Sequence, residues 1–153
     1  MYSDEAGIDD DEVSTTGYSP RGQRCHGVKN AERSTRYNMI AALNKQLLFA
    51  PFVFEGYSNR ETYELYVEKV LVPALRPGMV LIIDNASFHK SRKIIDLIEA
   101  KGCRVRFLPT YSPDLNQIEH SWSSLKRSIR SKNQLRHNMW DAVVTVLKQA
   151  CSR

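Results

Sequence analysis

Met79-Val80-Leu81-Ile82-Ile83-Asp84 is a short, unbroken apolar run closed by a carboxylate. A run of this length with no polar alternation marks a strand buried on both faces of a sheet. In open α/β sheets, sites form at the carboxyl ends of strands, which makes Asp84 a candidate functional residue. An aspartate there can equally cap the turn that follows, and position alone leaves both readings open.

Outward from this run, Pro77-Gly78 closes the unit before it. A helix is expected from about Ser91 to Lys101, with Ile94, Ile95, Leu97 and Ile98 inward and Gly102 as its stop. Arg104 to Leu108 alternates basic and apolar residues as a strand does, and Pro109 to Asn116 reads as a loop. Ile118, Trp122, Leu125 and Ile129 then fall at i, i+4, i+7 and i+11, one face of a helix. A last helix, about Arg136 to Cys151, is expected to bury Met139, Trp140, Val143, Val144 and Leu147.

In the other direction, Ser58-Asn59-Arg60-Glu61 has capping-box spacing and predicts a helix to about Leu75 that buries Tyr63, Tyr66, Val67 and Val70. Arg24–Asn30, Arg36–Asn44 and Leu47–Glu55 read as a meander of antiparallel strands, with a hairpin turn at Asn44-Lys45-Gln46. Residues 1–6 read as the end of a strand in which Asp4 closes Met1-Tyr2-Ser3. Residues 7–22 read as a loop, broken by Gly7, Gly17, Pro20 and Gly22. Strands first, then helix and strand in alternation, then helices: the order predicts a mixed α/β sheet with helices on its faces, one domain over residues 1–153.

The net charge of +5 is unevenly spread. Six of the 17 acids fall in residues 1–12, where no Lys or Arg occurs, so the rest of the chain sets 22 bases against 11 acids. Such a body suits a polyanion, because phosphate neutralisation releases counterions. The acidic run Asp9 to Glu12 is expected in solvated loop. No apolar stretch is long enough to span a bilayer, and the acidic start is unlike a signal peptide. Cys25, Cys103 and Cys151 are scattered, with no zinc-ligand spacing, which suits free thiols in a reducing cytoplasm.

Glu119 lies in the first turn of its helix, about 100° round from Ile118. Asn116-Gln117-Ile118-Glu119 is also a capping-box pattern, which gives Glu119 a structural reading beside the functional one.

Four words occur in order: Tyr2-Ser3-Asp4-Glu5-Ala6-Gly7, Gly17-Tyr18-Ser19-Pro20-Arg21-Gly22, Ile83-Asp84-Asn85-Ala86-Ser87-Phe88-His89, and the stretch from Leu108 to Glu119. Together they closely resemble the catalytic domain of bacterial insertion-sequence transposases of the mariner superfamily, with its Asp-Asp-Glu triad. Between Asp84 and Glu119 lie 34 residues, the separation that group favours. The resemblance implies a ribonuclease-H-like fold, DNA strand cleavage and strand transfer, and Asp4, Asp84 and Glu119 as ligands of two Mg²⁺ or Mn²⁺ ions. Asp84 would bridge both ions, with Asp4 beside it and Glu119 completing one. Two such ions about 3.5–4 Å apart serve the attacking and leaving oxygens of a phosphodiester, and hard cations accept an all-oxygen shell.

Asn85, His89 and Asn116 are candidates for a place behind the ligands. His89 also reads as a contact to the scissile phosphate or as a satisfied loop histidine, and Asn116 and Asp114 as caps and braces of the turn before Glu119. Arg21, Lys126, Arg127 and Arg130 are candidate contacts to DNA phosphates, within a basic cluster that runs on to Lys132 and Arg136; such runs are also ordinary solvated faces. The implied partners are double-stranded DNA at transposon ends and target, the N-terminal DNA-binding half of the transposase, and, as a candidate, a second copy in a homodimer. The implied setting is a bacterial cytoplasm, close to the nucleoid.

Two departures stand out. Gln117 occupies a position where proline is common, and the helix-turn-helix modules of that group are absent from these residues, with the first strand short. A ribonuclease-H-like nuclease, or a remnant that binds DNA without cutting, are the alternative readings. Three gathered carboxylates repel without metal, so Asp84→Asn is expected to leave the metal-free protein as stable as the parent or slightly more so.

Overall fold

The computed structural model describes residues 1–9, 19–24, 34–110, 112–136 and 138–152. Among them, β1 (Tyr2–Asp9), β2 (Arg36–Asn44), β3 (Leu47–Glu55), β4 (Val80–Ile83) and β5 (Arg104–Phe107) form one sheet in the order β3-β2-β1-β4-β5. β1, β2 and β3 pair antiparallel, whereas β4 lies parallel to β1 and β5 parallel to β4. The register pairs Ser3 with Ile83. An aspartate follows each of the two, Asp4 within β1 and Asp84 just past the end of β4, so the pairing brings them alongside one another.

Side chains alternate across the sheet, and each face carries a core. On one face Ala6, Ile8, Met39, Ala41 and Leu43 pack against α4 (Ile118–Arg136) and α5 (Met139–Cys151). The stripe expected on α4 is buried as a unit: Ile118, Trp122, Leu125 and Ile129 are at most 6% exposed. At about 1.5–3 kcal/mol for each large apolar side chain removed from water, that stripe alone fastens α4 over β1. On the opposite face Ile40, Ala42, Leu81 and Ile83 pack against α1 (Arg60–Tyr66), the segment after it, and α3 (Arg92–Ala100).

Several expectations change. β1 runs on through Gly7 to Asp9, so Asp4 sits inside a strand rather than at its end, and the strand is not short. Gly7 permits this: a Cβ there would lie 2.2 Å from the Arg36 guanidinium, which crosses the strand to pair with Asp9 at 3.0 Å. A glycine in a strand marks close approach as readily as a break. The cap of α1 is Asn59, whose side chain accepts the Thr62 N–H at 2.9 Å, while the Ser58 hydroxyl turns to Glu5. The helix is also not uniform. It widens into a π turn over Val67–Leu71 before α2 (Val72–Ala74), where Pro73 offers no N–H to the preceding turn.

Trp140 is 41% exposed and leans on Tyr37, with ring centroids 5.9 Å apart, instead of entering the core. Ala142 and Val146 take up the inward face of α5 with Met139, Val143 and Leu147, and Val144 is half-buried. In the β2–β3 hairpin, Lys45 takes the left-handed conformation at the expected turn. A bulge at Ala50-Pro51 then interrupts the edge strand, where a proline leaves no ladder bond unmade. The strand expected at Arg24–Asn30, Cys25, the acids at 10–12 and the start of the Gly17–Gly22 word lie outside the described residues. No helix among the described residues is long and apolar enough to cross a membrane.

Candidate active site: a carboxylate cleft at the strand ends

Asp4, Asp84 and Glu119 line one cleft of about 360 Å³, with Asn85, Ala86, Thr110, Ser112 and Asn116 among its other walls. Each carboxylate arrives by a different local rule. Strand alternation turns Asp4 toward the α4 face along with Ala6 and Ile8. The end of β4 delivers Asp84, and the first turn of α4 delivers Glu119, one residue beyond the buried Ile118. Among the described residues, no three of His, Cys, Asp and Glu stand close enough together to share one metal ion. A larger groove of about 450 Å³ between α4, α5 and the β2–β3 hairpin holds no carboxylate.

The two aspartates are treated differently. Asp4 is 7% exposed and accepts the Asn116 side-chain N–H at 2.9 Å. Burial, reinforced by the charges of Glu5, Glu119 and Asp84, raises its carboxyl to about 7. Asp84 Oδ1 accepts the Ala86 N–H at 3.1 Å and meets His89 Nδ1. Partial burial pushes the Asp84 carboxyl upward, but the bonds from His89 and Ala86 outweigh it, and the net shift is downward. The charges of Glu119 and Asp84 add to the rise at Asp4, which burial dominates. Asp84 both lines the cleft and caps its own turn through the Ala86 N–H.

Asn116 is not the helix cap its sequence suggested. Its side-chain N–H goes to Asp4, its backbone carbonyl takes the Glu119 N–H at 3.1 Å, and its Oδ1 is buried without a partner. Asn85 stands on the cleft wall and reaches Thr110 Oγ1 at 3.4 Å. His89 is neither a loop residue nor open to a phosphate. It lies in a 3₁₀ turn, Ser87–Lys90, fully buried, with both ring nitrogens engaged: Nδ1 with Asp84 and Nε2 with Glu5 Oε1 at 2.9 Å. Burial would lower the imidazolium, but these bonds and charges lift it to about 9.

Glu5 escaped the sequence reading. Its signal was the pair Asp4-Glu5 itself: in a strand that continues past Asp4, consecutive carboxylates face opposite sides of the sheet.

Of the candidate phosphate contacts, Arg21 lies in an exposed turn outside the cleft walls. Arg127 is exposed, and Lys126 and Arg130 are half-buried. Offsets of seven and eleven residues put Lys126 and Arg130 within about 20° of Glu119 around α4, so those two bases share the helix flank that carries the carboxylate.

The chain resembles known proteins over this same architecture. It is 30% identical over 79 residues to the Tcb1 transposable-element transposase of Caenorhabditis briggsae, covering 49% of this chain and 29% of that protein. It is 36% identical over 69 residues to the 39 kDa protein of insertion element IS630 from Shigella sonnei, covering 44% and 20%. The chain thus matches less than a third of the length of these curated relatives.

Among solved structures it superposes on Mos1 transposase in a paired-end complex with the left transposon end, with a TM-score of 0.60 at 15% identity over 97% of this chain and 52% of that one. The catalytic core of BIV integrase gives 0.54 at 18% identity over 74% and 72%. These likenesses make the fold ribonuclease-H-like, a mixed sheet flanked by helices. A family model described as DDE superfamily endonuclease matches residues 1–139, and the chain belongs to that family.

Proposed function

We propose that the chain carries out metal-dependent DNA strand cleavage and strand transfer in transposition, with Asp4, Asp84 and Glu119 as the groups that hold two Mg²⁺ or Mn²⁺ ions. One observation carries the reading: three carboxylates from β1, the end of β4 and the start of α4 line a single cleft.

The donor set fits such cations. It is all oxygen, as hard ions require. The buried Asn116 Oδ1 lacks a partner and is suited to a metal-bound water. Asp4, whose carboxyl is raised to about 7, would exchange a proton for a cation. The ions, when bound, supply Lewis acidity at the phosphate and a more acidic nucleophilic water.

The residues of the chain do the rest. Asp84 offers Oδ2, since Oδ1 is already held by His89 and Ala86. Asn116 orients Asp4. Lys126, Arg127 and Arg130 on α4, with Arg21, would neutralise phosphates of a DNA duplex, an electrostatic contact with little sequence content. Mos1 transposase has been solved bound to a transposon end, which supports duplex DNA as the partner. The N-terminal DNA-binding half of a transposase and a second copy of the chain complete the proposal.

Strand transfer separates this reading from a ribonuclease-H-like nuclease. A labelled duplex with a free 3′-hydroxyl, incubated with the protein, a target plasmid and Mg²⁺ or Mn²⁺, should become covalently joined to the plasmid. Nicks without joined label would favour the nuclease, and neither product would favour a DNA-binding remnant.

A further inference from the structure

We propose that Glu5, acting through His89, is a positioning residue for Asp84. This rests on the reading of Asp84 as a metal-holding carboxylate and adds a residue that stands outside the cleft.

His89 bridges two carboxylates from different strands. Its Nε2 lies 2.9 Å from Glu5 Oε1 on β1, and its Nδ1 meets Asp84 Oδ1 just past the end of β4. The ring has little freedom: it is fully buried, with its centroid 4.1 Å from that of Tyr63 and 4.2 Å from that of Phe88. Glu5 is held in turn, because Oε1 also accepts the Ser58 hydroxyl at 3.2 Å. Alternation along β1 sends Asp4 into the cleft and Glu5 to the opposite face, and neither Glu5 nor His89 is a cleft wall. Glu5 is therefore placed to steer a ligand, not to be one.

The steering has a direct consequence at Asp84. With His89 and Ala86 both on Oδ1, the carboxyl plane is fixed before any cation arrives, and Oδ2 is the oxygen without a hydrogen-bond donor among the described residues. Partners that orient a metal ligand in this way typically change metal affinity by about 10–100-fold when lost.

Two substitutions separate reach from charge. Glu5→Asp keeps the charge and shortens the arm by one methylene; Glu5→Gln keeps the length and removes the charge. Mn²⁺ affinity, read by titration calorimetry on the whole chain without DNA, should fall about tenfold or more in Glu5→Asp and stay near the parent's in Glu5→Gln. Ile94→Val, a core change on α3, should leave Mn²⁺ affinity unchanged and controls for general loosening.

In EDTA, the melting-temperature losses of Glu5→Asp and Asp84→Ala should be less than additive in the double variant, because both break one chain of contacts. Parent-like Mn²⁺ binding by Glu5→Asp, or additive losses, would overturn the proposal. A parent that binds no Mn²⁺ would defeat the metal reading of the cleft, and the EDTA cycle alone would then decide whether Glu5 acts on Asp84.

Discussion

Asp4 and Asp84 share one cleft, yet only the Asp4 carboxyl is raised, chiefly by burial. Asp84 is tied to a buried imidazole and a backbone N–H, so Asp84→Asn should lower the melting temperature of the metal-free protein by a few degrees, the reverse of what repulsion among three carboxylates suggested. Asparagine keeps the acceptor oxygen but not its charge, and a charge-assisted hydrogen bond is roughly twice as strong as a neutral one, less so at a half-exposed side chain such as this one. Adding Mg²⁺ at ten times its dissociation constant should stabilise the parent by about 1.4 kcal/mol and the variant much less. Thermal melts with and without Mg²⁺ check both.

For Asp4 the sign runs the other way. Its carboxyl stands at about 7 in the fold against an ordinary 3.8. The folded state therefore holds an extra proton between those values, and stability falls as pH rises from about 4 to about 7. Asp4→Asn removes that dependence. Measured in EDTA, its melting temperature should gain on the parent's across that window and run parallel to it above. A constant difference from pH 4 to 8 would show that Asp4 ionises normally.

At the scale of elements, legibility followed periodicity. The stripe Ile118, Trp122, Leu125, Ile129 and the run from Met79 to Ile83 could be read because a single period places every member on one buried surface. Ile129→Ala should destabilise the protein by about 2–5 kcal/mol, seen as a lower urea midpoint with an unchanged slope. A loss below 1 kcal/mol would mean that α4 is not anchored by this stripe. What periodicity could not supply were contacts between distant segments. Gly7 reads as a breaker until the Arg36 side chain that crosses it is known. Ser58 reads as a cap until Glu5 claims its hydroxyl, and Trp140 reads as core until Tyr37 offers it a resting place at the surface. Asp4, Asp84 and Glu119 were named from ordered words in the sequence. The brace behind Asp84 was not, because Glu5 and His89 are 84 residues apart and meet only through strand pairing.

At the scale of the molecule, the excess of bases over acids beyond residue 12 and the bases on the Glu119 flank of α4 favour binding of duplex DNA that is weak, nearly indifferent to sequence and steeply salt-dependent. Removing Lys126 and Arg130 together should lower the slope of log affinity against log salt by about 2, measured by fluorescence anisotropy. An unchanged slope would move the DNA elsewhere on the surface. The central claim, that Asp4, Asp84 and Glu119 hold the metal ions that cut DNA, is tested most directly by nicking of supercoiled plasmid. The parent should nick in Mg²⁺ or Mn²⁺ and not in Ca²⁺ or EDTA, and Asp4→Asn, Asp84→Asn and Glu119→Gln should each fall to background while remaining folded. Equal nicking in EDTA, or parent-like nicking by any of the three variants, would contradict it.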